Sequence, residues 1–298
     1  MISFFKSILR WYLFLPLAPI IWSSYYAYLI DTFDIQKLLY ISLISELIVV
    51  LALILNQLHE KQEYAPIKKF LDSLNIESND EGPGPLKLVL IASGVIFIIF
   101  FLGIMLASLT DGIVFFGGAF SLAIIMFSLI GPFPIFYKGA DQILVFLLAG
   151  FALTNLIFYA YSGNIDHVSI LSSIIFSGMI AAIIALRDYK NTFAEKGKRK
   201  HTISNLKEAR KARLRLVIFY SICYVPTIFL IFFELNAWAL IPLFSAPLAI
   251  NVILKAYTRW GNELTPNLIL SIVFIFYHLL LMLLSTYMIV NYRNMINL

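Results

Sequence analysis

Nine stretches of mostly apolar residues follow one another along the chain, at roughly 11–30, 38–57, 88–109, 112–133, 142–161, 168–186, 215–233, 238–255 and 267–290. About 20 such residues are what a helix needs to cross bilayer hydrocarbon, where every backbone N–H and C=O must be satisfied inside the segment. Most connections are short, so the expectation is one all-α integral-membrane domain over residues 1–298, a bundle of about nine transmembrane helices. Composition agrees: 61% of the residues are apolar and 13% charged, with a mean hydropathy of +0.88. A soluble domain carries about 25% charged residues; so few charges cannot cover a water-facing surface. The fourth stretch is the weakest, being Gly-rich and ending in Gly131-Pro132-Phe133-Pro134. The first begins with a basic, signal-like segment, but its apolar run is long and lacks a small-x-small cleavage pattern. It reads as a retained first helix.

Charge sets the expected orientation. With the N-terminus inside, all Lys and Arg residues fall on inner segments except Lys37 and Arg293. Positive charge marks the cytoplasmic side, so the N-terminus is expected there and the C-terminus opposite. The net charge of +5 is thereby accounted for by topology and lipid headgroups, not by nucleic acid. Cys223 is the single cysteine, which excludes an intramolecular disulfide.

Two long polar loops, after helices 2 and 6, are expected to face the cytoplasm. The first opens as ILNQLHEKQEYAPIKKF, with Asn56, Glu60 and Glu63 at i, i+4 and i+7 on one helical face. Two carboxylates there suit Mg²⁺, a hard cation that takes oxygen ligands and bridges to phosphate; a solvated helix end explains them equally. The second opens as LRDYKNTFAEKGKRKHT, with Asp188, Thr192 and Glu195 at the same spacing among Arg187, Lys190, Lys198 and Arg199. An acid beside a basic cluster suits a metal-bridged diphosphate. Topology alone explains the basic residues, but not why carboxylates head both loops. Further on, the LKEARKARLRL segment is helix-forming and basic enough to lie on anionic headgroups.

These loops in a nine-helix frame resemble the UbiA superfamily of intramembrane prenyltransferases, nearest to its 1,4-dihydroxy-2-naphthoate polyprenyltransferase branch of menaquinone synthesis. The branch's NDxxDxxxD-like motif after helix 2 is matched by His59-Glu60-Lys61-Gln62-Glu63, with Glu60 and Glu63 standing for Asp and Ile67 at the third acidic position. Its GPGR-like turn is matched by Gly82-Pro83-Gly84-Pro85. Its GPxPxxYxG-like run is matched closely by Gly131-Pro132-Phe133-Pro134-Ile135-Phe136-Tyr137-Lys138-Gly139. After helix 6, Arg187-Asp188 and Gly197-Lys198-Arg199 stand in the family order, with Thr192 at the next acidic position and one extra residue before Gly197.

The resemblance implies a membrane prenyltransferase, in the bacterial cytoplasmic membrane, that moves a polyprenyl group from its diphosphate to an aromatic or quinone-precursor acceptor. Asp188 and Glu60 would be catalytic. Glu60, Glu63, Asp188 and Glu195 would hold Mg²⁺, with Asn56, Arg187, Lys190, Lys198, Arg199, Tyr137 and Lys138 on the substrate. The lost Asp positions admit another reading, a catalytically impaired homologue acting as a lipid-binding or partner subunit. A small transporter using Glu46, mid-helix 2, is a third reading. It fits less well, because coupling sites usually lie near the midplane and these acids gather at the membrane surface. His278 and Asn155 read as packing or capping groups, and His59 stands where the family motif usually has Asn.

Overall fold

A computed structural model describes residues 16–73, 85–130, 141–194, 203–234, 236–258 and 264–296. Among these residues every regular element is helical: α1 Leu17–Leu29, α2 Ile35–Ser73, α3 Pro85–Leu109, α4 Gly112–Ile130, α5 Asp141–Val145, α6 Leu153–Ser162, α7 His167–Ala194, α8 Ile203–Ile222, α9 Val225–Glu234, α10 Ala246–Thr258 and α11 Leu264–Ile296. A π-helical segment, Phe146–Ala152, joins α5 to α6, and a 3₁₀ segment, Ala237–Ser245, leads into α10.

Among the described residues, seven segments are long and apolar enough to cross a membrane: Ile35–Leu55, Leu86–Leu109, Gln142–Ser162, His167–Leu186, Arg213–Glu234, Ala237–Ala256 and Ile269–Ile296. They match seven of the nine expected stretches and make the chain a multi-pass integral membrane protein. Of the other two, the first is described only as α1, and the fourth contains a shorter apolar helix, Gly112–Ser128. Both loop entrances are helical extensions of their spans. Thus α2 runs past its apolar part to Ser73, and α7 runs to Ala194.

The chain divides into two compact units. In the first, α2, α3 and α4 pack on one another around Leu51, Leu55, Leu58, Leu88, Ile99 and Leu122. Phe97 and Phe116 stay largely exposed, as suits a lipid-facing surface. Asp111 caps α4, its carboxylate accepting the Ile113 N–H at 2.8 Å. Such a cap satisfies one of the orphan donors of a first turn.

The second unit holds α1 and everything from Gln142 onward, and α7 is its axis. Within it, α7 packs against the π segment, α6, α8, α9 and α11, and 78% of its apolar stretch is buried, more than in any other span. Lipid tails are as apolar as Leu, so buried apolar area does not hold such helices together; close packing of small residues does. The residues of α7 follow that rule, with Ser169, Ser172, Ser173, Ser177, Ala181, Ala182 and Ala185 all buried. Two glycines set the closest approaches. A Cβ on Gly150, in the π segment, would lie 2.2 Å from Ser177 Cα, and one on Gly178 would lie 2.9 Å from Cys223 Sγ.

The expected outcome of Gly150→Ala is therefore a separation of the π segment from α7 costing about 1–3 kcal/mol or more, read as a lower Tm in detergent. Gly94→Ala, where nothing lies within 4 Å, leaves Tm unchanged or raises it, since Ala is the better helix former.

Candidate functional site

The two helical extensions fix the backbone of the acidic loop entrances. Asn56, Glu60 and Glu63 lie within one unbroken helix, α2, so their i, i+4, i+7 spacing places them on one face. Arg187, Asp188, Lys190 and Thr192 lie in the last turns of α7, with Asp188 and Thr192 one turn apart. The side chains of these residues fall outside the described ones. So do Glu195, Lys198 and Arg199, in 195–202, and Tyr137 and Lys138, in 131–140. No group of three or more His, Cys, Asp or Glu among the described residues is placed to hold a metal ion.

The polar geometry that is described lies in the second unit, in two systems. The first sits at the end of α7 remote from Asp188, 21 residues and thus ~31 Å away along the helix. It gathers the ends of four elements: Tyr26 of α1, Asp166 and His167 at the start of α7, Glu234 at the end of α9 and Arg293 near the end of α11. Glu234 is the centre, its side chain only 3% exposed. Its Oε2 accepts from Arg293 Nε at 2.6 Å, and its Oε1 accepts from Arg293 Nη2 and from His167 Nε2. Arg293 thus grips the carboxylate with a two-pronged fork, the geometry in which a guanidinium binds best.

The chain of bonds runs on to Tyr26. Arg293 Nη1 donates to the Tyr26 hydroxyl at 3.4 Å, and that hydroxyl donates to Asp166 Oδ2. Asp166 Oδ1 accepts the Ser169 N–H at 2.7 Å, which caps the start of α7. A nitrogen that donates to Glu234 cannot also accept, so the 3.2 Å approach of Arg293 Nη2 to His167 Nε2 is a contact between two donors sharing one carboxylate. Below the cluster the Tyr26 ring stacks on Phe158 at 4.8 Å, and Trp22 Nε1 donates to Thr286 Oγ1 at 3.0 Å. By its place in the sequence Arg293 is only an outside charge. An acid in the last turn of one apolar span and a base in the last turn of another was the available signal.

The second polar system lies inside the spans. His278 Nδ1 meets Ser245 Oγ at 2.7 Å, and Ser245 Oγ meets the Tyr224 hydroxyl at 2.9 Å. Asn155 donates to Ser173 Oγ at 2.8 Å and to the Phe151 carbonyl at 2.9 Å, which ties α6 to α7. Both His278 and Asn155 thus take part in helix packing. In the first unit Glu46 has one buried carboxyl oxygen without a hydrogen-bond partner among the described residues.

No family model matches the chain, and no curated protein matches it.

Removing one member of a buried ion pair leaves the other unpaired in a medium that solvates it poorly. Glu234→Gln and Arg293→Met are each expected to destabilise the second unit by about 2–4 kcal/mol, discounted from the fully buried case because Arg293 is 33% exposed. The double variant is expected to recover part of that loss. A double-mutant cycle of unfolding in detergent measures the coupling, expected at about 1–3 kcal/mol.

Proposed function

We propose that the chain is a UbiA-type membrane prenyltransferase, moving a polyprenyl group from its diphosphate to an aromatic or quinone-precursor acceptor. The observation that carries this reading is the run Gly131-Pro132-Phe133-Pro134-Ile135-Phe136-Tyr137-Lys138-Gly139 standing between two acidic segments, Asn56–Glu63 and Arg187–Glu195. Helical backbone carries Glu60 and Glu63 along one face of α2, and Asp188 in the last turns of α7, each where a span leaves the apolar region.

Glu60, Glu63, Asp188 and Glu195 are hard oxygen donors of the kind Mg²⁺ takes, and the metal, when bound, would neutralise charge on the diphosphate. Arg187, Lys190, Lys198 and Arg199 would bind phosphate oxygens directly, and Asn56, Tyr137 and Lys138 would help seat the substrate. An allylic carbon losing diphosphate develops positive charge, so the apolar spans serve the reaction by keeping water away from it. A second reading rests on the substitutions: Glu stands at two acidic positions, and Ile67 and Thr192 stand at two others. On that reading the chain binds prenyl diphosphate or lipid as a partner subunit without turning it over.

The basic residues favour a cytoplasmic face for the acidic segments and a bacterial cytoplasmic membrane as the setting. Cys223 is fully buried, so single-cysteine variants report topology. In intact cells a membrane-impermeant maleimide is expected to label Asn164→Cys, and to label Lys211→Cys only after permeabilisation. The reverse pattern overturns the orientation.

Transfer is tested with membranes, Mg²⁺ and radiolabelled prenyl diphosphate over a panel of phenolic and naphthoic acceptors. Asp188→Asn preserves shape and removes one charge. It is expected to weaken Mg²⁺-dependent binding of prenyl diphosphate by about 10–100-fold, the worth of a charge-assisted contact. Equal binding by wild type and variant, with and without Mg²⁺, sinks the metal-site reading. Metal-dependent binding without transfer to any acceptor favours the partner subunit.

A further inference from the structure

The helix α8 is basic at one end and apolar at the other. It runs unbroken from Ile203 to Ile222 and contains no proline or glycine, the usual causes of a kink. One axis therefore serves both the span that starts at Arg213 and the ten residues before it. At 1.5 Å per residue those ten reach ~15 Å beyond the span. The basic segment thus leaves the membrane along the axis of its own span, and does not turn flat onto the headgroups.

One face of the helix is turned to protein. Leu216, Phe219, Tyr220 and Cys223 are buried at i, i+3, i+4 and i+7, and here Gly178 of α7 approaches Phe219 and Cys223. Arg213, three residues before Leu216, falls on this side too, with one guanidinium nitrogen buried. The opposite face is open. Leu214 is 56% and Ile218 45% exposed, and Ser221 is exposed one turn further along, the surface that a span presents to lipid. Lys211 stands three residues before Leu214, and Arg215 three before Ile218, so the pair lies one turn apart on this open side. Lys207 extends the row by another turn. A lipid-facing stripe therefore ends in a row of cations.

Neither Lys211 nor Arg215 has a hydrogen-bond or ion-pair partner for its side chain among the described residues. Arg215 is the third residue of the apolar span, ~3 Å inside its start. A guanidinium at that depth needs an anion at headgroup level, because hydrocarbon does not solvate it. Glu208 is the only acid on α8, against Lys207, Arg210, Lys211, Arg213 and Arg215, and it stands two turns away from Arg215. The lipid beside the open face has a phosphate at the required depth.

We infer that Lys211 and Arg215 hold the phosphate of an anionic phospholipid whose acyl chain lies along Leu214 and Ile218. The guanidinium fork suits the phosphate oxygens, and the ammonium adds a second positive charge one turn further out. A phosphatidylcholine headgroup brings its own cation against this pair and fits it less well. The site uses none of the residues assigned to prenyl transfer, and it stands whether or not that reaction occurs.

The test uses full-length protein in phosphatidylcholine nanodiscs, without diphosphate or Mg²⁺. Ser221→Cys, on the open face and outside the proposed contacts, is labelled with a bimane fluorophore; Cys223 is fully buried. A minor fraction of the lipid carries a nitroxide on its acyl chain, either as phosphatidylglycerol or as phosphatidylcholine. Nitroxides quench the fluorophore on contact, so the two titrations report which lipid stands beside α8. Phosphatidylglycerol is expected to be preferred about five- to thirtyfold, the worth of one to two interfacial cations. The same label at Phe229→Cys, 50% exposed in the far half of the same span, is expected to show no preference. Lys211→Gln with Arg215→Gln is expected to abolish the preference at Ser221→Cys. Lys68→Gln with Lys69→Gln removes the same charge from α2 and is expected to leave it intact. Equal quenching by the two lipids at Ser221→Cys overturns the inference. So does a preference that survives loss of Lys211 and Arg215, or one that falls equally with either pair of substitutions. The comparison of Ser221→Cys with Phe229→Cys needs no charge variant, and decides the matter even if the Lys211 and Arg215 substitutions prevent folding.

Discussion

Helices surrounded by lipid gain nothing from hiding apolar side chains against each other, because hydrocarbon already surrounds them. What holds the second unit together is the distance its backbones can reach, and α7 is built to shorten it. Ser169, Ser173, Ser177 and Ala181 follow at four-residue intervals, a row with little side-chain volume. Gly150 on one side and Gly178 on another remove the last Cβ atoms in the way. The π-helical segment at Phe146–Ala152 belongs to this packing, since it carries Gly150 onto Ser177. Wider turns of this kind cost hydrogen-bond geometry and are uncommon in helices. Here the π segment coincides with the closest backbone approach described.

With the helices drawn together, polar groups divide by depth. At the end remote from Asp188, partial access to water lets charge be used, and the Glu234–Arg293 fork ties α9 to α11 while His167 and Tyr26 bring in α7 and α1. Deeper in, the polar groups are hydroxyls, amides and one imidazole, joined in pairs and triplets across helices. That order follows the rising cost of charge with depth in hydrocarbon. The proposed prenyl diphosphate site would lie at the opposite end of α7, where the helix carries Asp188 beyond its apolar stretch. One helix thus serves a structural ion pair at one end and a proposed anion-binding segment at the other.

Much of the fold was written in the order of residues. A span of hydrocarbon needs a fixed number of apolar residues, and no water-filled alternative exists, so runs such as 88–109 and 168–186 identified helices within two residues of those observed. The helical reading of Asn56–Glu63 also held, because α2 continues unbroken to Ser73. Periodicity did not reveal the breaks at Cys223–Tyr224 and across 237–245, although Pro226 and Pro242 stand there. Proline in a membrane helix produces a kink, a 3₁₀ turn or nothing much, according to which neighbours re-satisfy the freed carbonyls. Those neighbours are distant in sequence: Ser245 and His278 are 33 residues apart.

The sequence by itself determined that the chain lies in a membrane, seven of the segments able to cross it, and that Glu60 and Glu63 stand on one helical face past a span end. Each is a local property, fixed by hydropathy over about 20 residues or by the 3.6-residue turn. Only the tertiary structure decided which helix is the axis of the second unit, that Arg293 belongs to Glu234, and that His278 meets Ser245. Those depend on which small residues let two backbones approach. No window of sequence contains that information, because the partners arrive from helices tens to hundreds of residues away, as Trp22 and Thr286 do, 264 residues apart.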